Sequence, residues 1–454
     1  MTTVIDNSLI ARHTGRRTDI VEGAGTGMAR GEQLRFVAGF AKERLALRYG
    51  AHLRRDPLCR LHLSEGRRDP YPIYEEVRAR GPLSRSTAKL WVSASHDICG
   101  QVLRDRRFGV QMRAEDQRSG SPQLSFLEMD PPEHTRLRRF VMPTFSPKAV
   151  ASFDGQITEI VTGLLDAVPA EGRFDLVAGY AAPMPIAVIT RLLGIPDANS
   201  AEFQRYGATF GSALGGLQSL KHARELFEAQ RQLRRIFTDL CELRRTEPGD
   251  DVISRMVAAP DTQVGPDDLV PLCTLLLIAG FETTVNLIGN TVLALLERPE
   301  AWRRVAEDPS LVDAAVEETL RFDPPVQRTA RVAREDVELG GLRVAAGDVI
   351  ITMIGGTGRD PQVVDRPDEF DLDRSHRDHL AFSAGLHYCV GAPLAKLEAT
   401  IAVRELIARF PDLTIDGPGR RRAGSLIRGL ASLPVRTRRS RGNVLPPATA
   451  AAMS

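Results

Sequence analysis

Cysteine is scarce in this chain, and the few cysteines form no pattern. Cys59, Cys99, Cys241, Cys273 and Cys389 are scattered over 454 residues, their number is odd, and no two of them form a CxxC pair. Secreted domains that depend on disulfides carry an even number of closely spaced cysteines, whereas free thiols persist in reducing compartments. The cysteines therefore argue against a disulfide framework and favour a cytoplasmic location.

An excess of charge of either sign is also absent. Lysine and arginine total 60 against 58 for aspartate and glutamate, so the formal net charge is +2. Domains that bind nucleic acid carry a basic excess, so we expect no nucleic-acid partner. The first residues, MTTVIDNSLIARHTGRRTDI, lack the unbroken apolar core of a signal peptide, and we expect an intracellular protein.

Apolar material is plentiful, at 43% hydrophobic residues, which is enough for a large core in one domain or two. Helical periodicity dominates, and strand-like stretches such as LWVSA, DVELGGLRV and DVIITMI are short. The expected fold class is therefore mostly α with small β-sheets (α+β).

The longest apolar run covers residues 269–296 and follows PDD, a typical helix start with acidic residues. Its length would suit a transmembrane span. Glu282 lies near its middle, however, and an acidic side chain there would cost about 2.5 to 3.5 kcal/mol in lipid. We therefore predict the central buried helix of a large domain, and no membrane span.

Both ends of the chain differ in composition from the predicted domain, which would span residues 66–438. Residues 1–65 are expected to form a partly disordered extension, and residues 439–454 a disordered tail. The extension includes a possible amphipathic helix whose apolar stripe is formed by Leu34, Val37, Ala41 and Leu45. Such a helix would either pack on its own domain or lie on a membrane surface.

One cysteine has an unusual setting, in the stretch FSAGLHYCVGAPLAKLE. Pro393 suits the first turn of a helix, so Cys389 would sit just before a helix amino terminus. Backbone amides and the helix dipole favour a thiolate there and would lower its pKa. Gly385 and Gly391 would allow tight turns, and Phe382 would cover the sulfur. These features predict that the Cys389 sulfur is anionic and acts as a ligand.

Two other interpretations of this cysteine remain open from the residues alone. It could be an inert buried thiol in a glycine-rich turn. It could also bind zinc together with His387, although a structural zinc site needs four clustered ligands and no partner set is evident.

Two further motifs are weaker when taken singly. EETLR places Glu318 and Arg321 on one helix face, which is also what an ordinary surface ion pair looks like. AGFETT, inside the long apolar run, places Glu282 beside Thr283 and leaves a groove at Gly280. A threonine in a helix often only bonds back to the preceding turn.

Together, and in this order, AGFETT, ETLR and FSAGLHYCVG closely resemble the cytochrome P-450 superfamily of haem-thiolate monooxygenases. The similarity extends from about residue 69 to about residue 436. It implies the cytochrome P-450 fold in a single large haem domain, with haem b (iron protoporphyrin IX) as cofactor. A catalytically degenerate haem-binding or recruitment scaffold is the alternative.

The resemblance assigns the cofactor-binding residues. Cys389 matches the axial ligand of the haem iron. His387, His134, Arg138 and Arg331 match positions that contact the haem propionates. The same resemblance places Phe382 and Gly391 of the cysteine loop beside the cofactor.

The resemblance also assigns structural and catalytic roles. Glu318 and Arg321, completed by Arg374, match an internal ion-pair group that holds the segment behind the cysteine loop. Glu282 and Thr283 match the acid–alcohol pair that supplies protons during oxygen activation. This chain departs from the family at Gly358, where an asparagine is more common.

As a monooxygenase of this type, the protein would insert one atom of O2 into an organic substrate, by hydroxylation or epoxidation. We expect a bulky secondary metabolite such as a polyketide or a peptide. The chain ends soon after the cysteine helix, so the resemblance implies electrons from a separate ferredoxin and ferredoxin reductase. Arg136, Arg139 and Lys396 would form a docking patch for the ferredoxin. Among the expected substrate contacts are Ala279 and Arg428.

Overall fold

The structure, a computed structural model, describes residues 30–112, 125–195, 203, 205–207, 209, 219–258, 266–375 and 377–438. The helices within these ranges are α1 Arg30–His52, α2 Pro57–Leu61, α3 Ser64–Arg68, α4 Tyr71–Ala79, α5 His96–Arg104, α6 Glu133–Val141, α7 Pro147–Ala151, α8 Asp154–Asp166, α9 Pro183–Leu192, α10 Leu220–Thr246, α11 Val252–Ala258, α12 Pro266–Leu296, α13 Pro299–Glu307, α14 Leu311–Phe322, α15 Ile354–Thr357 and α16 Ala392–Arg409.

The strands are short. They are β1 Ser84–Arg85, β2 Trp91–Ser93, β3 Phe108–Gly109, β4 Gly172–Asp175, β5 Thr329–Ala333, β6 Val337–Leu339, β7 Leu342–Val344, β8 Val349–Thr352, β9 Thr414–Ile415, β10 Arg420–Arg421, β11 Leu430–Ser432 and β12 Pro434–Thr437. One five-stranded sheet has the order β1-β2-β8-β5-β3, and β4-β12-β9 form a second sheet. The pairs β6-β7 and β10-β11 are separate ribbons. The predicted class, mostly α with small sheets, is confirmed.

Helix α12 forms the centre of the largest core cluster. It packs against α9, α10, α14 and α16, and Leu272, Leu277, Ile288 and Val292 are fully buried. Among the described residues it is the one helix long and apolar enough to cross a membrane, yet 78% of its apolar window is buried inside the protein. A helix that is apolar on all sides is covered by other elements in a large core, as predicted for this segment.

The predicted amino-terminal extension is in part packed. Residues 1–29 and 439–454 lie outside the described ranges, so the disorder expected there stays a prediction. In α1, Leu45 is 69% exposed, which does not match the alternative in which this stripe packs on its own domain. Leu58 and Leu61 are buried in one cluster with Tyr71 and Ile73. The packed body therefore includes residues before position 66.

A buried charge group joins α14 to the segment in front of the cysteine loop. Arg321 donates to both oxygens of Glu318 at 2.9 and 2.8 Å, and Arg374 Nε donates to Glu318 Oε1 at 3.1 Å. Arg321 also donates to the carbonyls of Gly358 and Glu369, each at 2.7 Å. These bonds satisfy charges that have left water, so the group orders the segment around residues 358–374.

The departure from the family at Gly358 has a steric reason here. A Cβ at this position would collide with the backbone carbonyl of Arg321. Because that carbonyl is backbone of α14, it has little freedom to move. The glycine therefore permits the close approach that lets Arg321 bond the Gly358 carbonyl.

We expect Arg321→Met to lower the free energy of unfolding by about 3 to 5 kcal/mol, because it leaves the Glu318 carboxylate buried without its main partner. Denaturant unfolding of the holoprotein measures this loss. Arg303→Met removes the same charge from an exposed side chain that pairs with Glu300 and Glu307 on α13, and it should cost less than about 1 kcal/mol. Equal losses for the two variants would contradict the structural role of Arg321.

Candidate active site

The cysteine loop is held by backbone geometry. Gly385 has φ +65°, and a Cβ there would collide with the Leu103 carbonyl at the end of α5. The Cys389 N–H donates to the Phe382 carbonyl at 2.9 Å. Helix α16 begins at Ala392 with Pro393 in its first turn, as the sequence predicts. The loop therefore presents the cysteine immediately before a helix amino terminus.

The environment of the Cys389 thiol differs from the prediction in one respect. The side chain is exposed on one side, while protein surrounds its other sides. Burial raises the pKa of the thiol, although the amides of Gly391 and Ala392 and the charge of Arg138 act to lower it. The expected net lowering of the pKa is therefore wrong for the protein without a bound metal, because desolvation outweighs the amides.

The two glycines of the loop have different roles. Gly385 requires the left-handed backbone, whereas Gly391 has φ −85° and caps α16. A Cβ at Gly391 would lie 4.0 Å from Cys389 Sγ, an ordinary contact. The ring of Phe382 lies beside that of Tyr388, with centroids 6.4 Å apart. The hydrogen bond between Phe382 and Cys389 involves the Phe382 carbonyl and not its ring.

Two histidines and two arginines from distant segments meet near the cysteine loop. His134 of α6 and His387 have ring centroids 4.3 Å apart. Burial and the neighbouring cations Arg331 and Arg138 lower the pKa of His387 to about 3. Burial, the His387 ring and the same two arginines lower the pKa of His134 to about 4. Both imidazoles are therefore neutral at pH 7 in this arrangement.

The arginines of this cluster have neutral partners. Arg331 in β5 is buried and donates to Thr329 Oγ1, the Ala330 carbonyl and Ser383 Oγ. Burial lowers its pKa to about 10. Arg138 donates to the Tyr388 carbonyl at 2.5 Å. Within the described ranges, neither guanidinium is recorded in a bond to a carboxylate.

The polar atoms of this cluster fit an anionic ligand. His134 Nδ1 and Nε2 and His387 Nε2 are buried without a hydrogen-bond partner among the described residues. Buried polar groups are almost always bonded, and buried cations are normally paired. A carboxylate-bearing group next to the accessible Cys389 would satisfy both requirements. The structure therefore brings together all four residues that the resemblance assigned to the propionates.

The zinc alternative lacks ligands in the structure. Among the residues that the structure describes, no group of three or more histidine, cysteine, aspartate or glutamate side chains could hold a metal ion. His387 has instead the imidazole of His134 and the carboxylate of Asp130 as its neighbours, the latter at 3.9 Å.

The AGFETT segment of α12 borders an open space. Ala279 is exposed although it lies in a mostly buried helix, and a Cβ at Gly280 would meet no atom of the described residues within 4 Å. Thr283, one turn after Ala279, is half-buried, and its hydroxyl donates to the Ala279 carbonyl at 2.7 Å. The hydroxyl oxygen remains able to accept a bond on the open side. The groove predicted at Gly280 is therefore present.

Glu282 lies in different surroundings from Thr283. It is buried, with 3% exposure, and its Oε1 lies 3.2 Å from Nη1 of Arg422. Burial raises the pKa of the carboxyl, and Arg422 opposes this shift. Oε2 has no partner among the described residues. The acid and the alcohol are thus neighbours in sequence, but the acid is held by an arginine that the sequence analysis did not identify.

Three other residues with predicted roles, in ferredoxin docking or in substrate contact, form ion pairs within the protein. Arg136 pairs with Asp268 at 2.8 Å and Lys396 with Glu317 at 2.5 Å, so their charges are largely neutralised, while Arg139 is exposed. Arg428, expected to contact substrate, donates to Asp323 at 2.6 Å and to backbone carbonyls of α3. These bonds use its Nε and Nη1, so the guanidinium joins Asp323 to α3.

The chain as a whole is similar to known proteins. The family described as "Cytochrome P450" matches residues 218–418. The chain is 37% identical to the cytochrome P450 monooxygenase PikC of Streptomyces venezuelae, over 82% of this chain and 92% of that protein. It is 38% identical to the nocardicin C N-oxygenase of Nocardia uniformis subsp. tsuyamanensis, over 81% and 95%. The ligand-free crystal structure of Mycobacterium smegmatis CYP164A2 superposes with a TM-score of 0.78 at 40% identity, covering 84% of this chain and 99% of that one.

We expect Gly385→Ala to destabilise the cysteine loop by about 1 to 3 kcal/mol, because the new Cβ requires both a strained backbone conformation and displacement of the Leu103 carbonyl. Thermal unfolding of the holoprotein measures the effect. Gly391→Ala, with ordinary φ and only a van der Waals contact, should cost less than Gly385→Ala. The reverse order would contradict this account of the loop.

Proposed function

The chain belongs to the cytochrome P450 family and is a haem b monooxygenase, and from this premise we propose that it oxidises a bulky secondary metabolite, such as a polyketide or a peptide, with electrons from a separate ferredoxin and its reductase. The reaction would be a hydroxylation or an epoxidation, in the cytoplasm. The observation that carries the proposal is the accessible Cys389 beside the cluster of His134, His387, Arg138 and Arg331.

The cysteine loop and this cluster would hold the haem from two kinds of contact. Cys389 would ligate the iron as a thiolate, and a bound metal would offset the desolvation that raises its pKa. The two arginines and the two histidines would bind the propionates, which would satisfy the orphaned imidazole nitrogens. Phe382 and Gly391 would contact the cofactor from the same loop. When bound, the haem supplies the activation of O2 and the insertion of one oxygen atom into the substrate.

The chain's own residues would manage protons beside the open space. Thr283 can accept a hydrogen bond there, because its own proton is used on the Ala279 carbonyl. Glu282 has a carboxyl with a raised pKa, so it can hold and release a proton nearer to neutral pH than a free glutamate can. Glu318, Arg321 and Arg374 would act only structurally, by ordering the segment that precedes the cysteine loop.

A bulky substrate is supported by the space beside α12 and by the activity that one relative is named for. Ala279 and Gly280 leave the middle of the helix uncovered. The nocardicin C N-oxygenase acts on nocardicin C. Electron delivery would reach the face that carries Arg139, the exposed cation of the predicted docking patch.

We expect the reduced, carbon monoxide-treated protein to show the red-shifted Soret band of thiolate-ligated haem. Cys389→Ala should abolish this band, because it removes the proposed iron ligand. Cys59→Ala, which changes a buried thiol in α2, should keep it. A normal thiolate band in the Cys389→Ala protein would contradict the assignment.

The substrate class is tested by optical titration of the ferric holoprotein. We expect polyketide or peptide metabolites to shift the haem spectrum at lower concentrations than small terpenes or fatty acids do, because a large pocket leaves a small ligand poorly packed. Shifts with the small ligands alone would contradict the proposal for the substrate, while leaving the haem assignment in place.

A further inference from the structure

One face of α12 carries three polar side chains, and the reaction proposed above uses only one of them, Glu282. Glu282, Asn286 and Asn290 follow each other at intervals of one helical turn, and all three are buried, at 3%, 1% and 1% exposure. They face the segment from Arg421 to Gly429, which joins β10 to β11. A polar stripe inside an apolar core needs partners for its donors and acceptors.

The far end of this stripe is fully bonded. Asn290 donates to the carbonyls of Asp323 and Arg428 at 3.0 and 3.2 Å and accepts from Arg421 at 3.1 Å. Asp323 in turn binds Arg428 and Tyr71. This end is therefore a structural network that joins α12 to the loop.

The near end of the stripe is only partly bonded. Glu282 Oε2 and both Oδ1 and Nδ2 of Asn286 are buried without a partner among the described residues. Burying three such atoms unbonded would be costly, so they call for water, which bonds otherwise unsatisfied groups in protein interiors. The two side chains lie one turn apart on the same face, so one water chain could serve both.

A surface cleft lies beside the residues that contact these side chains. A surface cleft is lined by Arg422, Ser425 and Gly429, among others. Arg422 connects this cleft to Glu282, because its Nη1 lies 3.2 Å from Oε1 and its side chain is 25% exposed. Gly429 connects the cleft to Asn286, because a Cβ there would collide with the carboxamide. Two lining residues of the same cleft thus touch the two partly bonded side chains.

We propose that this cleft is the side from which solvent protons reach Glu282, with Arg422 and Asn286 as positioning residues. Arg422 holds Oε1 so that Oε2 faces Asn286, and the carboxamide orders the water between them. A proton would pass from cleft water to the Glu282 carboxylate and onward to the Thr283 side, and the carboxylate would then take up the next proton from the cleft. The proposal rests on the monooxygenase function given above.

The ion pair is tested first by a cycle of stability measurements on the holoprotein. The positive charge of Arg422 lowers the pKa of Glu282 and so opposes the effect of burial. Because burial raises the pKa of Glu282, stability from this group is present at low pH and is lost as pH rises through that pKa. Arg422→Gln should move this loss to higher pH and enlarge it. This effect of Arg422→Gln on the pH dependence of stability should vanish when the protein also carries Glu282→Gln.

Arg420→Gln is the matched control. It removes the same charge from the same ribbon, where the side chain is exposed and Nε donates to Ser432 Oγ. Its effect on stability should not depend on pH or on Glu282. A pH-independent effect of Arg422→Gln, or one that persists in Glu282→Gln, would overturn the proposed role of Arg422.

The proton route is tested by turnover with a surrogate ferredoxin and reductase. Arg422→Gln and Asn286→Leu should slow NADPH oxidation about tenfold and raise its solvent deuterium isotope effect. An unchanged isotope effect in both variants would overturn the route. A wild-type protein without the thiolate band would instead overturn the monooxygenase function, and the stability cycle would still report on the ion pair.

Discussion

A buried helix with polar residues on one face obliges the rest of the chain to supply their hydrogen bonds. In this protein that helix is α12, whose other faces form the centre of the core. The loop from Arg421 to Gly429 and the residue Asp323 supply partners for three of the six polar side-chain atoms on this face, those of Asn290 and one oxygen of Glu282. The glycine at 429 allows the loop backbone to approach the helix. Much of the position of the β10–β11 ribbon follows from this requirement.

Buried polar atoms near the cysteine loop need hydrogen-bond partners as well, but there the described residues leave several of them unbonded. Near the cysteine loop, His134, His387, Arg138 and Arg331 are brought together. Among the described residues, neither arginine bonds a carboxylate, and the Asp130 carboxylate lies 3.9 Å from His387 Nε2. By contrast, the buried Glu318 carboxylate is surrounded by donors from Arg321 and Arg374. The unpartnered imidazole nitrogens and the buried cation of this cluster fit the carboxylates of the haem that we propose binds here.

Local patterns accounted for a large part of the fold and of the site. The apolar run predicted α12, Pro393 predicted the start of α16, and the short strand-like stretches predicted small sheets. The pair Glu318 and Arg321 is one helical turn apart, so its contact follows from helix geometry alone. The family resemblance identified the histidines and arginines of the cofactor cluster, which no local pattern would have joined.

Other features could not be obtained in this way. The pKa of Cys389 depends on how much protein surrounds the sulfur, and the local helix start suggested the wrong direction. Arg428 resembles a substrate contact by position, yet it binds Asp323. Arg422 stands in a run of three arginines, and nothing in that run distinguishes it from Arg420, which is exposed. Only contacts between segments far apart in the chain separate these two residues.

The sequence by itself determined the family and the fold class, because these depend on residue types at short spacings along helices and turns. The tertiary structure alone decided which charges are paired, which polar atoms are left for a ligand or for water, and which side of α12 faces solvent. Those properties depend on the distances and desolvation that arise when remote segments pack together, and no spacing along the chain encodes them.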